Sequence, residues 1–177
     1  MVLFMTPGGR WASGFLIVLA MTSSGCARQK KAAGDDGQLL SVVNAADPRA
    51  AAQLTHGFYA VESNAWRWTA KDFTVTLHRP DGAAQNGARL EVKLAVPELV
   101  INRLGPISLS GNVNGFALAP DTFSKSGDYT YSRDIPATAL TTDPVKVEFT
   151  ADKALPPSGQ DARELAVIVS RVALSSK

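Results

Sequence analysis

The sequence predicts an all-β domain, an antiparallel β-sandwich, preceded by an N-terminal signal segment and a flexible tether. Two observations predict the sandwich. From about residue 56 onward, apolar and polar residues alternate with a period of two, the pattern of strands with one buried face. Turn signals separate these runs, and no amphipathic helical pattern lies between them, which is typical of sandwiches and barrels. A third observation predicts the signal segment: a short apolar run ends at Cys26, the single cysteine of the 177 residues.

Residues 1–25 have the features of a bacterial lipoprotein signal peptide. Arg10 is the only charged residue before an apolar run at residues 11–21, which has the length of a signal-peptide core and is too short to span a bilayer. Small residues then precede Cys26, although residue 23 is Ser where such signals usually carry Leu. The pattern predicts lipid attachment at Cys26. The alternative is an ordinary secretory signal cleaved nearby, with Cys26 a bystander.

The surroundings of Cys26 also predict a location. A lone cysteine allows no internal disulfide, and acylation would block its thiol in an oxidising compartment. Residue 27 is Ala, whereas Asp at that position commonly retains similar lipoproteins in the inner membrane. We therefore expect a lipid-anchored protein of the cell envelope, at the periplasmic face of the outer membrane. The formal net charge of +2 indicates no nucleic-acid partner.

The mature chain divides into a tether and one domain. Residues 26–38 are polar, small and without periodicity, as in flexible linkers. Residues 39–177 are long enough for a single domain with its own core. Within it, Asp47 followed by Pro48 predicts a capped short helix that runs to about Leu54.

The strands and turns follow in order along the domain. Period-two alternation predicts strands around residues 73–77, 90–96, 107–110 and 145–150. Turn signals lie at residues 79–82, 86–87, 114–115, 126–128 and 156–159. The last predicted strand covers residues 164–174, and its apolar phase changes near Ser170, which predicts a β-bulge there.

Three segments are similar to jelly-roll modules of bacterial cell-surface polysaccharide and glycosyltransferase proteins. They are the Gly57–Glu62 segment with the following Trp66-Arg67-Trp68, the Gly111–Gly115 strand and turn, and the Asp161–Val169 strand. The resemblance covers about residues 56–175. Such modules broadly resemble the galactose-binding-like sandwiches attached to carbohydrate enzymes. The resemblance implies a jelly-roll β-sandwich, with a carbohydrate-related function as the corresponding expectation.

Aromatic residues are the candidate ligand-binding groups. On a strand, Trp66 and Trp68 would share one face with Arg67 opposite, either as an exposed platform for sugar rings or as part of the core. The predicted ligand-binding set consists of Tyr59, Trp66, Arg67 and Trp68. Tyr129 and Tyr131 form a second, poorer pair. Strand parity predicts that the members of each pair are exposed together or buried together.

Charged residues provide a further prediction. Glu62 and Arg163 belong to the two most motif-like segments, and we expect a structural ion pair that joins the strand after Gly57 to the final strand. The alternative is that they bind a polar ligand at a strand end. His56 and His78 have no acidic or sulfur ligand at metal spacing, so no metal and no cofactor are predicted.

The motifs favour a non-catalytic protein. The sequence has no Gly-x-Ser-x-Gly elbow, no His-Glu-x-x-His and no phosphate-binding loop. Carboxylates are available for glycoside hydrolysis, but nothing in the sequence places two of them together. The predicted function is envelope-anchored binding of a glycan or envelope polysaccharide. The alternative is an assembly protein that docks another envelope protein through a sheet face or edge strand.

Overall fold

The computed structural model describes residues 38–159 and 161–177. The predicted signal peptide, Cys26 and nearly all of the predicted tether lie outside the described residues. The boundaries 1–25, 26–38 and 39–177 therefore stay predictions. No helix among the described residues is long and apolar enough to cross a membrane.

The described residues form nine strands, and all strand pairs are antiparallel. Two short α-helices and two 3-10 helices, Pro48–Gln53 and Ala137–Ala139, connect them. The strands are β1 (Val42–Asn44), β2 (Leu54–Glu62), β3 (Trp66–Leu77), β4 (Ala88–Val96), β5 (Ile107–Val113), β6 (Phe116–Phe123), β7 (Gly127–Ile135), β8 (Val145–Ala151) and β9 (Ile168–Ser176). The α-helices are α1 (Ala83–Asn86) and α2 (Glu98–Leu104).

The strands fold into two layers that share β3. The pairing order is β6-β5-β8-β3-β9-β4-β7, with β2 beside β3 and β1 beside β9. Residues 72–77 of β3 pair with β8, whereas residues 67–68 pair with β9. The strands β6-β5-β8-β3-β2 are called the first sheet below, and β7-β4-β9-β1 the second sheet. The predicted antiparallel β-sandwich is confirmed.

The core lies between the two sheets. Buried and exposed residues alternate strictly along β4 and β8, so each strand turns one set of side chains inward. Rings from both sheets meet there: Tyr131 of β7 contacts Phe149 of β8 edge-on at 6.3 Å between centroids. Phe149 also stacks on Phe73 of β3 at 4.9 Å. The opposite face of each sheet is left to the solvent.

Several local predictions are confirmed. The four strands predicted from alternation are present, and Asp47 caps the 3-10 helix Pro48–Gln53 by accepting a hydrogen bond from the Arg49 backbone N–H. Asn114 and Gly115 form the β5–β6 turn with φ of 49° and 92°, the conformation that tight hairpin turns require. The bulge is at Ser170: Lys93 pairs with Arg171 and Leu94 with Val169, which leaves Ser170 as the extra residue.

Two predictions about secondary structure are wrong. Helices α1 and α2 were not predicted, because elements of four and seven residues are too short to show a helical period. The final strand begins at Ile168 rather than at residue 164. The preceding residues are nevertheless held in place, since the Ala166 N–H donates to the Thr69 carbonyl and the Thr69 N–H donates to the Val167 carbonyl. An apolar sequence alone does not distinguish such a flanking segment from a strand.

Candidate functional site

The candidate site is a cleft of about 520 Å³ on the outer face of the second sheet, next to the start of β3. It crosses four neighbouring strands, β3, β9, β4 and β7. Its lining consists of Trp66, Lys93, Leu94, Ala95, Asp128, Tyr129, Thr130, Ile168 and Ser170. The cleft therefore combines one indole, a few aliphatic side chains and several polar groups.

Cross-strand register brings these residues together. In β4, buried Leu94 points into the core, so Lys93 and Ala95 on either side of it point outward. Ala95 lies opposite Asp128 of β7 and opposite Ile168 of β9. Lys93 lies opposite Thr130 of β7. Ala95 and Ile168 thus form a small apolar floor, with hydroxyl and charged groups beside it.

Trp66 forms the aromatic wall of the cleft. It is the first residue of β3 and pairs with Glu62 across the β2–β3 hairpin. The hairpin turn uses Ser63 and Asn64 at φ of 50° and 51° and is exposed. Trp66 therefore sits at the border between core and solvent, partly buried against the core and partly open to the cleft.

Trp68 does not share this exposure. It pairs with Ile168 of β9, is 9% exposed and belongs to the hydrophobic core. The prediction that Trp66 and Trp68 would be exposed or buried together is wrong. Both lie on the same side of β3, but Trp66 is beside the exposed turn while Trp68 is further inside the sheet.

Tyr59 and Arg67 do not line the cleft. The Arg67 guanidinium donates from Nε to the Ala45 carbonyl at 2.7 Å and from Nη1 to the Tyr59 carbonyl at 2.8 Å. Arg67 therefore connects β3 to β2 and to the residue after β1. The Tyr59 ring is covered by the Arg163 guanidinium, 5.3 Å from its centroid. Of the four predicted ligand-binding residues, the structure brings only Trp66 to the cleft.

The second aromatic pair faces inward. Tyr131 is fully buried, and its hydroxyl donates to the Ala119 carbonyl at 2.9 Å. Burial is also the main reason that the pKa of Tyr131 is raised. The Tyr129 ring packs on Phe123 at 4.6 Å, and its hydroxyl donates to the Lys125 carbonyl. Although Tyr129 borders the cleft, its ring and hydroxyl are engaged elsewhere.

Glu62 and Arg163 are in contact. Arg163 Nη1 donates to Glu62 Oε1 at 2.8 Å, and Arg163 Nη2 and Nε also donate to the Asp161 carboxylate. Arg163 precedes β9 rather than lying on it, so the pair joins β2 to the segment before the final strand. Both side chains of the pair are about one-third exposed. Solvent screening therefore limits the pair to under about 1 kcal/mol of coupling.

The Asp161–Arg163 contact makes a pH-dependent contribution to stability. Side-chain hydrogen bonds from Arg163, followed by its backbone N–H, lower the pKa of Asp161 from 3.8 to about 2. A carboxyl with a lowered folded-state pKa stabilises the fold above about pH 4 and loses this effect as the pH falls toward 2.

We expect Asp161→Asn to flatten the pH dependence of the unfolding free energy between pH 4 and 2. Urea unfolding at each pH measures this, and superimposable wild-type and variant slopes would contradict it.

A second, polar groove of about 450 Å³ lies on the outer face of the first sheet. Its lining includes outward residues of β2, β3, β5 and β8, such as His56, Asp72 and Glu148. Asp72 accepts a hydrogen bond from the Thr150 hydroxyl at 2.7 Å. His78 lies elsewhere and is paired with Asp143 at 2.8 Å. Across the described part of the chain, no three His, Cys, Asp or Glu side chains are grouped as metal ligands.

Most cleft residues could not be identified from the sequence. Alternation along β4 indicated that Lys93 and Ala95 share a face, since Leu94 and Val96 follow the apolar phase. The pattern does not say which strands lie beside β4. The contributions of β7 and β9 follow from that strand order, and sequence periodicity carries no signal for it.

Comparison with known proteins finds similarity of structure alone. No protein-family model and no curated protein matches the chain. A family 35 carbohydrate-binding module from Clostridium thermocellum is similar with a TM-score of 0.47 and 16% identity, over 76% of this chain and 98% of that one. The CBM36-1 domain of a multidomain xylanase from the hindgut metagenome of Trinervitermes trinervoides is similar with a TM-score of 0.45 and 8% identity. The match covers 77% of this chain and 96% of that one.

A third similar structure is the carbohydrate-binding module CBM36 in complex with calcium and xylotriose. Its TM-score is 0.41 and its identity 9%, over 76% of this chain and 98% of that one. All three TM-scores lie below 0.5. These similarities concern the fold alone, and a shared fold does not determine function, which depends on the geometry of the site.

Proposed function

We propose that this protein binds a glycan, without catalysis, in the cleft beside Trp66. The observation that carries the proposal is the combination of a partly open indole with an apolar floor of Ala95 and Ile168. Sugar rings have apolar C–H faces that pack on aromatic rings, while their hydroxyls need polar partners. Thr130 and Ser170 offer hydroxyls at the same opening.

The charges in the cleft favour binding over hydrolysis. Glycoside hydrolysis generally uses two carboxyl groups on either side of the scissile bond. The lining of the cleft contains one carboxylate, Asp128 of β7. The remaining polar side chains are hydroxyls and the ammonium of Lys93. This set is suited to hydrogen bonding and orientation of a saccharide.

The direct test measures polysaccharide binding by Trp66→Ala and Ala95→Gln variants. Loss of the indole removes the stacking surface, and a glutamine at position 95 fills the floor from the solvent side. Each variant is expected to lower affinity by about tenfold or more, equivalent to about 1.4 kcal/mol. Affinity electrophoresis against a panel of neutral and charged polysaccharides provides the measurement.

Phe116→Ala is the control for this test, because Phe116 is exposed on β6, away from the cleft. Since Trp66 also packs against the core, its variant must retain the wild-type melting profile. Ala95→Gln removes no core contact, so it tests independently whether the cleft binds the glycan. Wild-type affinity in both folded variants would eliminate the cleft as the glycan site.

We further propose that the protein is anchored to the cell envelope through a lipid on Cys26. The support is the sequence pattern of residues 1–26 described above. Cys26→Ser removes the thiol that would accept the lipid, so we expect the variant in the soluble periplasmic fraction or as unprocessed precursor. Membrane fractionation with palmitate labelling measures this. A processed Ser variant that stays with the membranes, together with an unlabelled wild type, would contradict the anchor.

A further inference from the structure

Two positive charges face each other next to the cleft. Lys93 of β4 and Arg171 of β9 are directly opposite in the strand register. Lys93 is exposed and lines the cleft, and Arg171 is partly buried beside it. Like charges at directly opposed positions of a sheet repel and destabilise the pairing. The arrangement therefore costs stability unless a negative group joins it.

Neither side chain has an ionic partner in the described part of the chain. The other three arginines within its strands are all engaged: Arg67 with backbone carbonyls, Arg89 with Asp134 at 3.0 Å, and Arg133 with Asp121 at 2.6 Å. Arg171 differs, since its side chain makes no hydrogen bond or ion pair with any described residue and its Nε is buried without a partner. A buried guanidinium N–H without an acceptor is costly.

The nearby acids do not neutralise this pair. Glu91 is the next outward residue of β4, and it lies between Lys93 and Arg89, whose pKa is raised mainly by the hydrogen bond to Asp134 and to a smaller extent by Glu91. Asp128 lies opposite Ala95 on the cleft wall. Neither carboxylate comes within 4.0 Å of the Lys93 ammonium or the Arg171 guanidinium. The two cations at this end of the cleft therefore have no direct ionic partner among the described residues.

The bulge at Ser170 adds hydroxyl groups to this end. Ser170 is the extra residue between the pairs that Lys93 and Leu94 make with β9, and its hydroxyl donates to the Lys93 carbonyl at 3.3 Å. Thr130 lies opposite Lys93 on the other neighbouring strand. The register therefore places two cationic and two hydroxyl side chains at neighbouring positions beside the aromatic cleft.

We infer that the glycan bound beside Trp66 carries an anionic substituent, which Lys93 and Arg171 bind together. This inference rests on the proposed glycan-binding function and specifies the substrate class. A carboxylate, sulfate or phosphate group accepts hydrogen bonds from guanidinium and ammonium groups, and such charge-assisted bonds are stronger than neutral ones. The anion would also relieve the repulsion between the two cations.

The test compares charged and neutral polymers with the same backbone. The probes are dextran sulfate against dextran, and polygalacturonate against methyl-esterified pectin, with detergent-solubilised full-length protein at fixed ionic strength. We expect at least one charged polymer to bind about tenfold more tightly than its neutral counterpart. The pair that shows the preference distinguishes a sulfate-type anion from a carboxylate.

Lys93→Gln and Arg171→Gln should each abolish most of that preference, because each lowers affinity for the charged polymer far more than affinity for the neutral one. The matched control is Arg89→Gln, which removes the same charge from the same face of β4 but outside the cleft lining. The melting temperature of the Lys93 and Arg171 variants should be unchanged or raised, because a repulsion is removed. If Lys93 or Arg171 acted only by stabilising the fold, its variant would instead have a lowered melting temperature.

The outcomes separate this inference from the proposed function. Binding that depends on Ala95 and Trp66 but shows no preference for charged polymers overturns the inference and leaves glycan binding intact. An equal loss in Arg89→Gln overturns it as well, since the effect is then general electrostatic attraction. Absence of binding to all four polymers overturns both the inference and the proposed glycan-binding function.

Discussion

Replacing Gly57 with Ala is expected to destabilise the domain by about 2–5 kcal/mol. Gly57 lies at an irregularity in the β2–β3 pairing, with φ of +71°. A left-handed conformation costs a residue with a side chain about 1–2 kcal/mol. An added Cβ would also collide with the Asp72 carbonyl oxygen and would lie 2.8 Å from the Phe73 Cα. Because both neighbours are backbone atoms of β3, the strand itself must move, at a further cost of about 1–3 kcal/mol.

Gly105→Ala is the matched control for this prediction. Gly105 follows α2 with φ of +72°, and an added Cβ there would meet no atom within 4 Å. The Gly105→Ala variant therefore measures the cost of a positive-φ backbone without a steric clash, and we expect a loss of about 1–3 kcal/mol because φ of 72° with ψ of −155° is a conformation almost restricted to glycine. Urea unfolding of both variants gives the two free energies. Equal losses would show that β3 accommodates the methyl group and that the close approach is not a constraint.

Phe149→Ala should cost about 3–5 kcal/mol, the usual range for removing a buried phenylalanine. Phe149 is 1% exposed and lies where the two sheets meet. Its ring stacks on Phe73 in the first sheet and contacts Tyr131 of the second sheet edge-on. Truncation would leave a cavity bordered by rings whose positions are fixed by the strands. The free energy of unfolding in urea measures the loss.

Phe116→Ala provides the comparison, since Phe116 is 41% exposed at the start of β6. We expect a change within about 0.5 kcal/mol, as for surface substitutions in general. Phe149→Leu should lie between the two because it keeps part of the buried volume. A loss below about 1 kcal/mol in Phe149→Ala would mean that the sheets close over the cavity, and the aromatic contact between them would not be a main source of stability.

The strands were predictable from the sequence where one face of the strand is buried and the other is exposed to solvent. The alternation of Leu90, Val92 and Leu94 with polar residues follows directly from the pleat of β4. The Asn114-Gly115 turn was predictable because few residues adopt positive φ at low cost. Helix α2 was not predictable, because Val100 is its one buried residue. A single buried position cannot show the helical period of about 3.6 residues.

The candidate site was less predictable than the fold. Trp66 was identified because Trp66 and Trp68 are two residues apart, so that on a strand they would share one face and could form a platform for sugar rings. Trp68 was predicted on the same grounds, but its burial depends on how far β3 extends into the sheet, which parity does not encode. Lys93, Arg171 and Thr130 meet through pairings between strands distant in sequence. Their proximity is a property of topology, and local sequence patterns do not determine it.

Strand β9 pairs with β1, β3 and β4, and this position has a consequence for the order in which the chain folds. Trp66 meets Ile168 and Ser170 across about one hundred intervening residues, and closing so large a loop carries an entropic penalty that must be met before the contacts form. Hairpins such as β5–β6 involve neighbouring residues and can form early. We therefore expect the cleft to form late in folding, and a chain without residues 168–176 would lack the side of the cleft that Ile168 and Ser170 provide.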